Sequence, residues 1–372
     1  MADTVRSGAG KRSPGGRTEP DHILDFGPSG RRDRGEGKES FRILMLSDLQ
    51  IIDLDCTRNP TRDRQIKGAY FREGVPGMEE RCFTFVRETV ARAAPDLLVF
   101  AGDNVYGEFD DLGRMQDLFC REAEGFGIPW APIFGNHDNE SRMGVRWQMS
   151  RFAECPHCLF TDGGLTGHGN YSLSIRRDGR DVMLLFLLDT NGCRTVGDPW
   201  APEEGITPDN IDYGLVCHEA GIYPDQTAWY RAVAQTAKER NGRTVPSLAF
   251  FHIPLTVYDE VFRECYGYEF GVSFDATRPG DYGGIYEHSK HTVDADGSFY
   301  RTARECGTAG FFTAHEHRND ACIHRDGAVF AYGVKSGYCT FYRRGAVGGT
   351  VIDVFADGSF TVFPLYTERY FI

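Results

Sequence analysis

No stretch of apolar residues in this 372-residue sequence approaches the ~20 residues that a bilayer-spanning helix needs, so the sequence predicts no membrane span. An excess of basic residues is also absent: the formal net charge is −13 and the isoelectric point is about 5.3. This balance argues against binding of nucleic acid or of an anionic membrane through a basic surface. It is compatible with a protein that arranges several carboxylates around cations.

The first twenty residues lack the apolar core of a secretory signal and are rich in Gly, Arg and Ser, so we expect 1–20 to be a disordered tail. Without an export signal, the eleven cysteines predict reduced thiols in a cytoplasmic protein. The segment Cys155-Pro156-His157-Cys158 has the spacing of a redox pair or of half a zinc site. A second Cys-x-x-Cys is absent from the sequence, so two ordinary cysteines in a loop near solvent are the favoured interpretation.

Apolar runs that suit buried strands alternate with segments of helical periodicity in the first half of the chain. Strands are predicted at 41–46, 96–101 and 130–134, and helices at 78–94 and 111–125. A polar turn follows each of these strands. Ligand sites in open α/β sheets lie outside the carboxyl ends of the strands, so these turns are candidate functional segments.

The second half of the chain is richer in predicted strands. They fall at 171–175, 182–188, 247–251, 310–313 and 328–332, with a helix at 225–240 and a closing hairpin at 349–355 and 359–365. Two segments, 193–223 and 258–301, have no clear periodicity and are predicted as irregular loop insertions. A long irregular loop in a compact domain is usually functional, such as a lid that faces the substrate.

Five apolar strands end in residues that can bind metal ions. These residues are Asp48, Asp103, Asn136, His252 and the pair His315 and His317. Carboxylate, amide and imidazole ligands suit first-row metals such as Zn, Mn or Fe, and the lack of thiolates argues against a structural zinc site. Any one of these residues alone is more often a turn former than a ligand. Together they exceed one tetrahedral site and predict two ions, which is the arrangement that clamps both oxygens of a phosphoryl displacement.

The strand-end segments, taken in order, resemble the motifs of the calcineurin-like metallophosphoesterases. The segments are Asp48-Leu49-Gln50, Gly102-Asp103-Asn104-Val105-Tyr106, Gly135-Asn136-His137-Asp138, Phe251-His252-Ile253-Pro254 and Ala314-His315-Glu316-His317. The resemblance spans about 41–365. Segments 250–255 and 315–320 carry a narrower similarity to the purple-acid-phosphatase-29-like and Dcr2-like branch.

The resemblance implies an α/β (α+β) fold, a four-layer αββα sandwich in which two mixed β-sheets are flanked by helices, formed by a single domain over 21–372. It also implies the role of each site residue. Asp48 and His317 would bind the first metal, Asp103 would bridge both metals, and Asn136, His252 and His315 would bind the second. His137 would contact the phosphate and protonate the leaving oxygen, and Asp138 is the candidate that orients the His137 ring.

Three positions depart from the calcineurin pattern. Gln50 stands where that pattern has a metal-binding His, and Tyr106 stands where it has an Asp that partners the catalytic His. Purple acid phosphatases also lack the first His and use a tyrosinate to bind ferric iron, so Tyr106 is a candidate ligand of the first metal. A Tyr that only packs beside the site is the alternative. Ala314 replaces a Gly and adds one methyl group.

The sequence therefore predicts a binuclear metal-dependent phosphoesterase that hydrolyses phosphate esters through a metal-bound hydroxide, with phosphomonoesters slightly favoured. The metals would be Mn, Fe or Zn, and the substrate a small phosphate ester or a phosphoprotein. Two alternatives stay open: a phosphodiesterase on the same site, and a catalytically silent metal-binding or interaction protein on this fold. We expect no nucleic acid partner and no membrane partner.

Overall fold

Two large β-sheets and six α-helices make up the computed structural model, which describes residues 17–26, 39–56, 78–141, 143–192, 220–269, 272–287 and 292–367. Most of the predicted N-terminal tail (1–16) lies outside these ranges. So do residues 193–219 of the first predicted loop. The assignment of 21–372 to one domain stays a prediction.

The first sheet has five strands and consists of a parallel core extended by a hairpin. In spatial order its strands are Phe360–Tyr366 (β14), Gly348–Phe355 (β13), Ser40–Leu46 (β2), Leu97–Ala101 (β3) and Trp130–Ile133 (β4). β2, β3 and β4 run parallel, and the C-terminal hairpin adds antiparallel to β2. All residues of β3 and β4 are buried, which explains why these strands are continuous apolar runs rather than alternating ones.

The second sheet has seven strands and is also mixed. In spatial order its strands are His22–Asp25 (β1), Tyr171–Arg177 (β5), Arg180–Leu187 (β6), Ser247–Phe250 (β7), Thr308–Thr313 (β10), Ala328–Tyr332 (β12) and Cys322–Arg325 (β11). The central strands β6, β7, β10 and β12 run parallel, so the carboxyl ends of β7 and β10 lie at the same edge. β11 was not predicted from the sequence.

The two sheets pack face to face through a shared apolar layer. Ile43 and Val99 of the five-stranded sheet belong to the same buried cluster as Leu185 and Phe250 of the seven-stranded sheet. The neighbouring residue Leu44 points the other way, into a cluster with the helices, because successive side chains of a strand alternate between its faces.

Helices cover the outer face of each sheet. They are Met78–Ala93 (α1), Arg114–Gly125 (α2), Val145–Ala153 (α3), Pro224–Asn241 (α4), Val257–Tyr266 (α5) and Ser298–Glu305 (α6). Phe83 of α1 and Phe119 of α2 pack with Phe100 of the five-stranded sheet. Tyr230 of α4 packs with Phe186 of the seven-stranded sheet. The predicted αββα sandwich is confirmed.

The prediction that 258–301 is an irregular loop was wrong at both ends of the segment. Helix α5 begins at Val257, and its buried residues Val257, Val261, Phe262 and Cys265 have helical spacing. The segment continues with a two-stranded ribbon of Phe274–Asp275 (β8) and Gly284–Ile285 (β9), and α6 begins at Ser298. The apolar periodicity of α5 was present in the sequence but was obscured by the Gly- and Tyr-rich residues that follow it. Among the described helices, none is both long and apolar enough to cross a membrane.

Candidate metal centre

The polar turns after β2 and β3 are held against each other at the edge where the two sheets meet. The amide of Asp48 donates to the carbonyl of Gly102 at 3.1 Å, and the amide of Gln50 donates to the carbonyl of Asp103 at 2.8 Å. Asp48 and Asp103 have φ values of 52° and 50°, in the left-handed region that Asp tolerates better than most residues. These turns therefore carry local backbone strain at the point where the side chains converge.

Two glycines of the motifs are required by close approach. A β-carbon at Gly135 would lie 2.2 Å from Oδ1 of Asp103. One at Gly102, where φ is +89°, would lie 2.6 Å from Nδ1 of His252. Because no larger residue fits at either position without displacement, the glycines allow the turns of β3 and β4 to pack directly against the candidate ligands.

Two groups of potential metal ligands share one carboxylate. The first group is Asp48, Asp103 and His317, and the second is Asp103, His252 and His315. Within each group all ligand atoms lie within 4.8 Å of one another. The predicted bridging residue Asp103 is thus the residue common to both groups.

One buried oxygen in these groups lacks a hydrogen-bond partner, and another ligand atom is surrounded by oxygens. Oδ1 of Asp48 is buried and has no hydrogen-bond partner among the described residues, and it lies 3.5 Å from Nε2 of His317. Nε2 of His252 lies 3.2 Å from Oδ1 of Asn136 and 3.3 Å from Oδ1 of Asp103. Buried oxygen and nitrogen atoms that converge in this way are expected around a cation. The side chains of the two groups therefore fit metal ions as ligands.

Backbone carbonyls orient two of the imidazole rings. Nδ1 of His252 donates to the carbonyl of Ala101 at 2.9 Å, and Nδ1 of His317 donates to the carbonyl of Phe341 at 3.1 Å. Each of these hydrogen bonds places the ring proton on Nδ1, so Nε2 is the nitrogen presented to the ligand groups. The first contact also joins the two sheets, because Ala101 ends β3 of the five-stranded sheet.

The charges of the site stabilise one another. Burial raises the pKa of Asp103, but the adjacent His252 and His137 outweigh it and hold that pKa well below its usual range. Burial lowers the pKa of His252, but Asp103 and Asp48 raise it to about 10. The oxygens around His252 thus favour a positive charge at this position. A metal ion supplies that charge in place of the proton.

The ring of His137 is held on two sides. Its Nδ1 donates to Oε2 of Glu140 at 2.9 Å, and the ring stacks on Tyr106 with centroids 4.2 Å apart and an interplanar angle of 28°. Its backbone amide donates to Oδ1 of Asp103 at 2.9 Å. His137 is therefore fixed beside the shared carboxylate, with Tyr106 as one wall of its pocket. Ligation of a metal by Tyr106 stays a prediction.

The prediction that Asp138 orients the His137 ring was wrong. Oδ1 of Asp138 accepts from the amide of Val105 at 2.9 Å, and Oδ2 accepts from the amide of Gly135 at 2.7 Å. Burial and the negative charge of Asp103 raise the pKa of Asp138 to about 7. Asp138 thus shapes the turn, and Glu140 is the carboxylate on the ring. Residues 138–140 form a 3₁₀ turn, which brings positions three residues apart onto one side.

Two further polar residues near the site were missed by the sequence analysis. Lys335 is buried, and its Nζ donates to the backbone carbonyl of Asp48 at 2.5 Å. Thr340 is buried, and its hydroxyl donates to the side-chain carbonyl of Gln50. Both residues lie in the segment between β12 and β13, nearly 300 positions from their partners, so no local sequence pattern reveals these contacts.

The Cys-x-x-Cys segment belongs to none of the potential metal-ligand clusters formed by the described residues. Cys155 and Cys158 are partly buried free thiols. The two groups that share Asp103 are the only clusters of three or more His, Cys, Asp or Glu ligands found in the described part of the chain.

Comparison with known proteins agrees with this geometry. The sequence profile of the calcineurin-like phosphoesterase family matches residues 41–319. A relative from Arabidopsis thaliana, "Probable inactive purple acid phosphatase 14", is 28% identical over 68% of this chain and 62% of its own length. "Phosphatase DCR2" from Saccharomyces cerevisiae is 25% identical over 82% of this chain and 48% of its own length. The predicted branch is confirmed, and the chain spans only about half to two thirds of these relatives.

Among solved structures, a dimetal phosphatase from Danio rerio is similar over 88% of this chain and 99% of its own length, with 14% identity. The TM-score of this structural match is 0.46. The match of the family profile to three quarters of the sequence, together with the paired ligand groups, shows that this chain belongs to the calcineurin-like phosphoesterase family.

Proposed function

We propose that the protein is a two-metal phosphoesterase that hydrolyses phosphate esters, with phosphomonoesters favoured. The observation that carries this proposal is the position of Asp103, which belongs to both groups of candidate ligands. A shared carboxylate holds two ions close enough to act on one phosphoryl group. A small phosphate ester or a phosphorylated protein would be the substrate.

In this proposal the ligands divide between two metal positions. Asp48 and His317 bind the first ion, Asp103 bridges both, and Asn136, His252 and His315 bind the second. The ions would be Mn, Fe or Zn, which accept such a mixture of oxygen and nitrogen ligands. The chemistry that they supply is polarisation of the phosphoryl group and a lower pKa for an attacking water.

His137 is the proposed proton donor to the leaving alcohol. The contact between its Nδ1 and Glu140 supports this role, because a carboxylate on one ring nitrogen fixes the ring and assigns the other nitrogen, Nε2, to the substrate. Stacking on Tyr106 prevents rotation of the ring. Glu140 is thus a positioning residue that takes the place of the Asp missing at position 106.

The test is hydrolysis of p-nitrophenyl phosphate in the presence of Mn²⁺. Wild-type protein is expected to turn over, and Asp103→Asn is expected to lose at least ~10³-fold in kcat/KM, since several kcal/mol of charge stabilisation disappears. Asp353→Asn is the matched control, because Asp353 is also a buried carboxylate of the five-stranded sheet but pairs with Arg42, away from the ligand groups. No turnover by wild type, or full activity of Asp103→Asn, contradicts the proposal.

The same assay with bis(p-nitrophenyl) phosphate distinguishes monoesters from diesters. A higher kcat/KM for the monoester is the expected result. A preference for the diester would indicate that the site is that of a phosphodiesterase.

A second candidate function is metal binding without catalysis. Gln50 at a position where the calcineurin pattern has a metal ligand favours it, and a relative's name describes that relative as probably inactive. Two bound ions per chain without turnover of either ester would favour this candidate.

A further inference from the structure

Gln50 is fully buried and lies beside Asp103, the residue common to the two ligand groups. Its Nε2 donates to Oδ2 of Asp103 at 2.8 Å, and its Oε1 accepts from the hydroxyl of Thr340. Both polar ends of the amide are therefore engaged. The contact with Asp103 involves the carboxylate oxygen other than the one that faces His252.

The orientation of the amide follows from the chemistry of its neighbours. An ionised carboxylate can only accept hydrogen bonds, so the amide must turn its NH₂ group toward Asp103. The Gln50 oxygen is then directed to Thr340 and away from the shared carboxylate. An amide in this orientation has no oxygen to offer an ion bound at Asp103.

Thr340 is held in an unusual conformation at the end of this chain of hydrogen bonds. It is buried and has φ of +64°, which is a rare backbone conformation for a β-branched residue. In this position its hydroxyl oxygen also lies 3.2 Å from Nδ1 of His317. His317, Thr340, Gln50 and Asp103 thus form one buried hydrogen-bonded series, and such strain is typical of positions that serve a site.

We propose that Gln50 is a positioning residue for Asp103, held in place by Thr340, and not a ligand of the first metal. This inference rests on the proposed two-metal site. The first ion then has Asp48, Asp103 and His317 as protein ligands from the two groups, with Tyr106 as a further candidate, which leaves room for water or substrate. At the position where the calcineurin pattern has a metal-binding histidine, the amide of Gln50 thus orients the bridging carboxylate of Asp103 through a hydrogen bond.

The test measures binding of Mn²⁺ to the full chain by calorimetry, with electron paramagnetic resonance to count bound ions. Gln50→Met keeps the length of the side chain but removes the amide, and we expect affinity at one position to fall about 10-fold, as for loss of a residue that orients a ligand. A crystal structure of the Mn²⁺-loaded wild type distinguishes the two roles. If Gln50 is the donor to Asp103, its Oε1 stays with Thr340, whereas if Gln50 is a ligand, its Oε1 coordinates the ion.

Thr340→Val and Thr340→Ser form the second test and do not change the charge. Valine keeps the β-branch but removes the hydroxyl, so we expect weaker Mn²⁺ binding at one position, whereas serine keeps the hydroxyl and is expected to bind as wild type. Circular dichroism and thermal unfolding check that each variant folds.

Coordination of an ion by Oε1 of Gln50, or unchanged binding by Gln50→Met or by Thr340→Val, would overturn the inference while leaving the proposed function intact. A wild-type chain that binds no Mn²⁺ would overturn both. Two ions in wild type, weakened binding in Gln50→Met and Thr340→Val, and an Oε1 of Gln50 that stays with Thr340 would support both.

Discussion

The two sheets contribute different chemistry to the candidate site. Among the six candidate ligands, the five-stranded sheet supplies those that bind through oxygen, Asp48, Asp103 and Asn136, and the seven-stranded sheet supplies the imidazoles His252, His315 and His317. Each ligand group contains members from both sheets. Neither sheet forms a candidate metal position alone, so an ion bound there would join the two sheets at their carboxyl edges.

The lengths of the side chains explain why one sheet supplies the oxygen ligands and the other supplies the imidazole ligands. In the five-stranded sheet the strands β2 and β3 end in tight turns, where Asp48 and Asp103 adopt positive φ and short side chains keep the oxygens close to the backbone. The longer imidazoles extend from the opposite sheet, and His252 is anchored by the carbonyl of Ala101 across the interface. Short side chains with oxygen atoms on one sheet and longer imidazole rings on the other thus converge at the candidate site.

The largest effect is expected from removing an imidazole of the seven-stranded sheet. His252→Ala and His317→Ala should each reduce the bound Mn²⁺ from two ions to one, because each belongs to a different ligand group. The loss of kcat/KM should be about 10³-fold, since one ion contributes several kcal/mol to catalysis. Metal analysis and kinetics of the two variants provide the measurement. Two ions retained in either variant would contradict the assignment of His252 and His317 to different metal positions.

A smaller effect, confined to the turn after β4, is expected from Glu140→Gln. Because Glu140 holds His137 and belongs to neither ligand group, both ions should stay bound while kcat falls about 10- to 100-fold. This is less than the ~10²- to 10⁴-fold contribution of a general acid itself, because His137 stays in place. The defect should be larger for phenyl phosphate than for p-nitrophenyl phosphate, since phenolate is the poorer leaving group and needs the proton more. An equal defect on both substrates would contradict the role given to His137.

Local patterns in the sequence predicted much of the fold and most of the candidate ligands. Continuous apolar runs followed by polar turns identified β2, β3, β4, β7 and β10, and with them the ligand residues at their ends. The contacts that orient those ligands were not predictable. Thr340 and Lys335 reach Gln50 and Asp48 from the far end of the chain, and no periodicity connects such distant positions.

Glu140 differs from Thr340 and Lys335 because its partner lies close to it in the sequence. It follows His137 by three residues, and this spacing was available in the sequence, but the adjacent Asp138 was the simpler choice. The distinction depends on backbone geometry: the turn directs the Asp138 carboxylate back to the amides of Val105 and Gly135. The helix Val257–Tyr266 was likewise encoded by its apolar spacing but was overlooked.

Removal of metal should weaken the connection between the sheets. At a free Mn²⁺ concentration 100 times Kd, one ion stabilises the folded state by about 2.7 kcal/mol. For a chain of this size we therefore expect EDTA to lower Tm by about 3 to 4 °C per ion, measured by differential scanning calorimetry. Asp103→Asn serves as the control and should respond much less to EDTA. An equal response in both proteins would mean that the stabilising ions bind elsewhere.

The smallest effect is a change of stability without a change at the site. Asp181 of the seven-stranded sheet is buried and accepts from Ser174 at 2.6 Å, from Arg176 at 2.6 Å, and from Arg240 and Asn241. Burial raises the pKa of Asp181, but these hydrogen bonds outweigh it and lower the pKa to about 2. Asp181→Asn should reduce the free energy of unfolding by about 2 kcal/mol at pH 7 and leave the Mn²⁺ count unchanged.

The sign of the pH dependence follows from the direction of that shift. The pKa of Asp181 is lower in the folded protein than in the unfolded chain, so the stabilisation is fully present above about pH 5 and is lost as the pH falls from about 4 to 2. Urea unfolding of wild type and Asp181→Asn at pH 7, 5 and 3 should show a difference that shrinks at the lowest pH. A constant difference would contradict the assignment.

The most direct test of two ions held between the sheets is a crystal structure of the Mn²⁺-loaded protein with anomalous scattering at the manganese edge. We predict two peaks that share Asp103, one beside Asp48 and His317 and the other beside His252 and His315. A single peak, or peaks away from Asp103, would contradict the account.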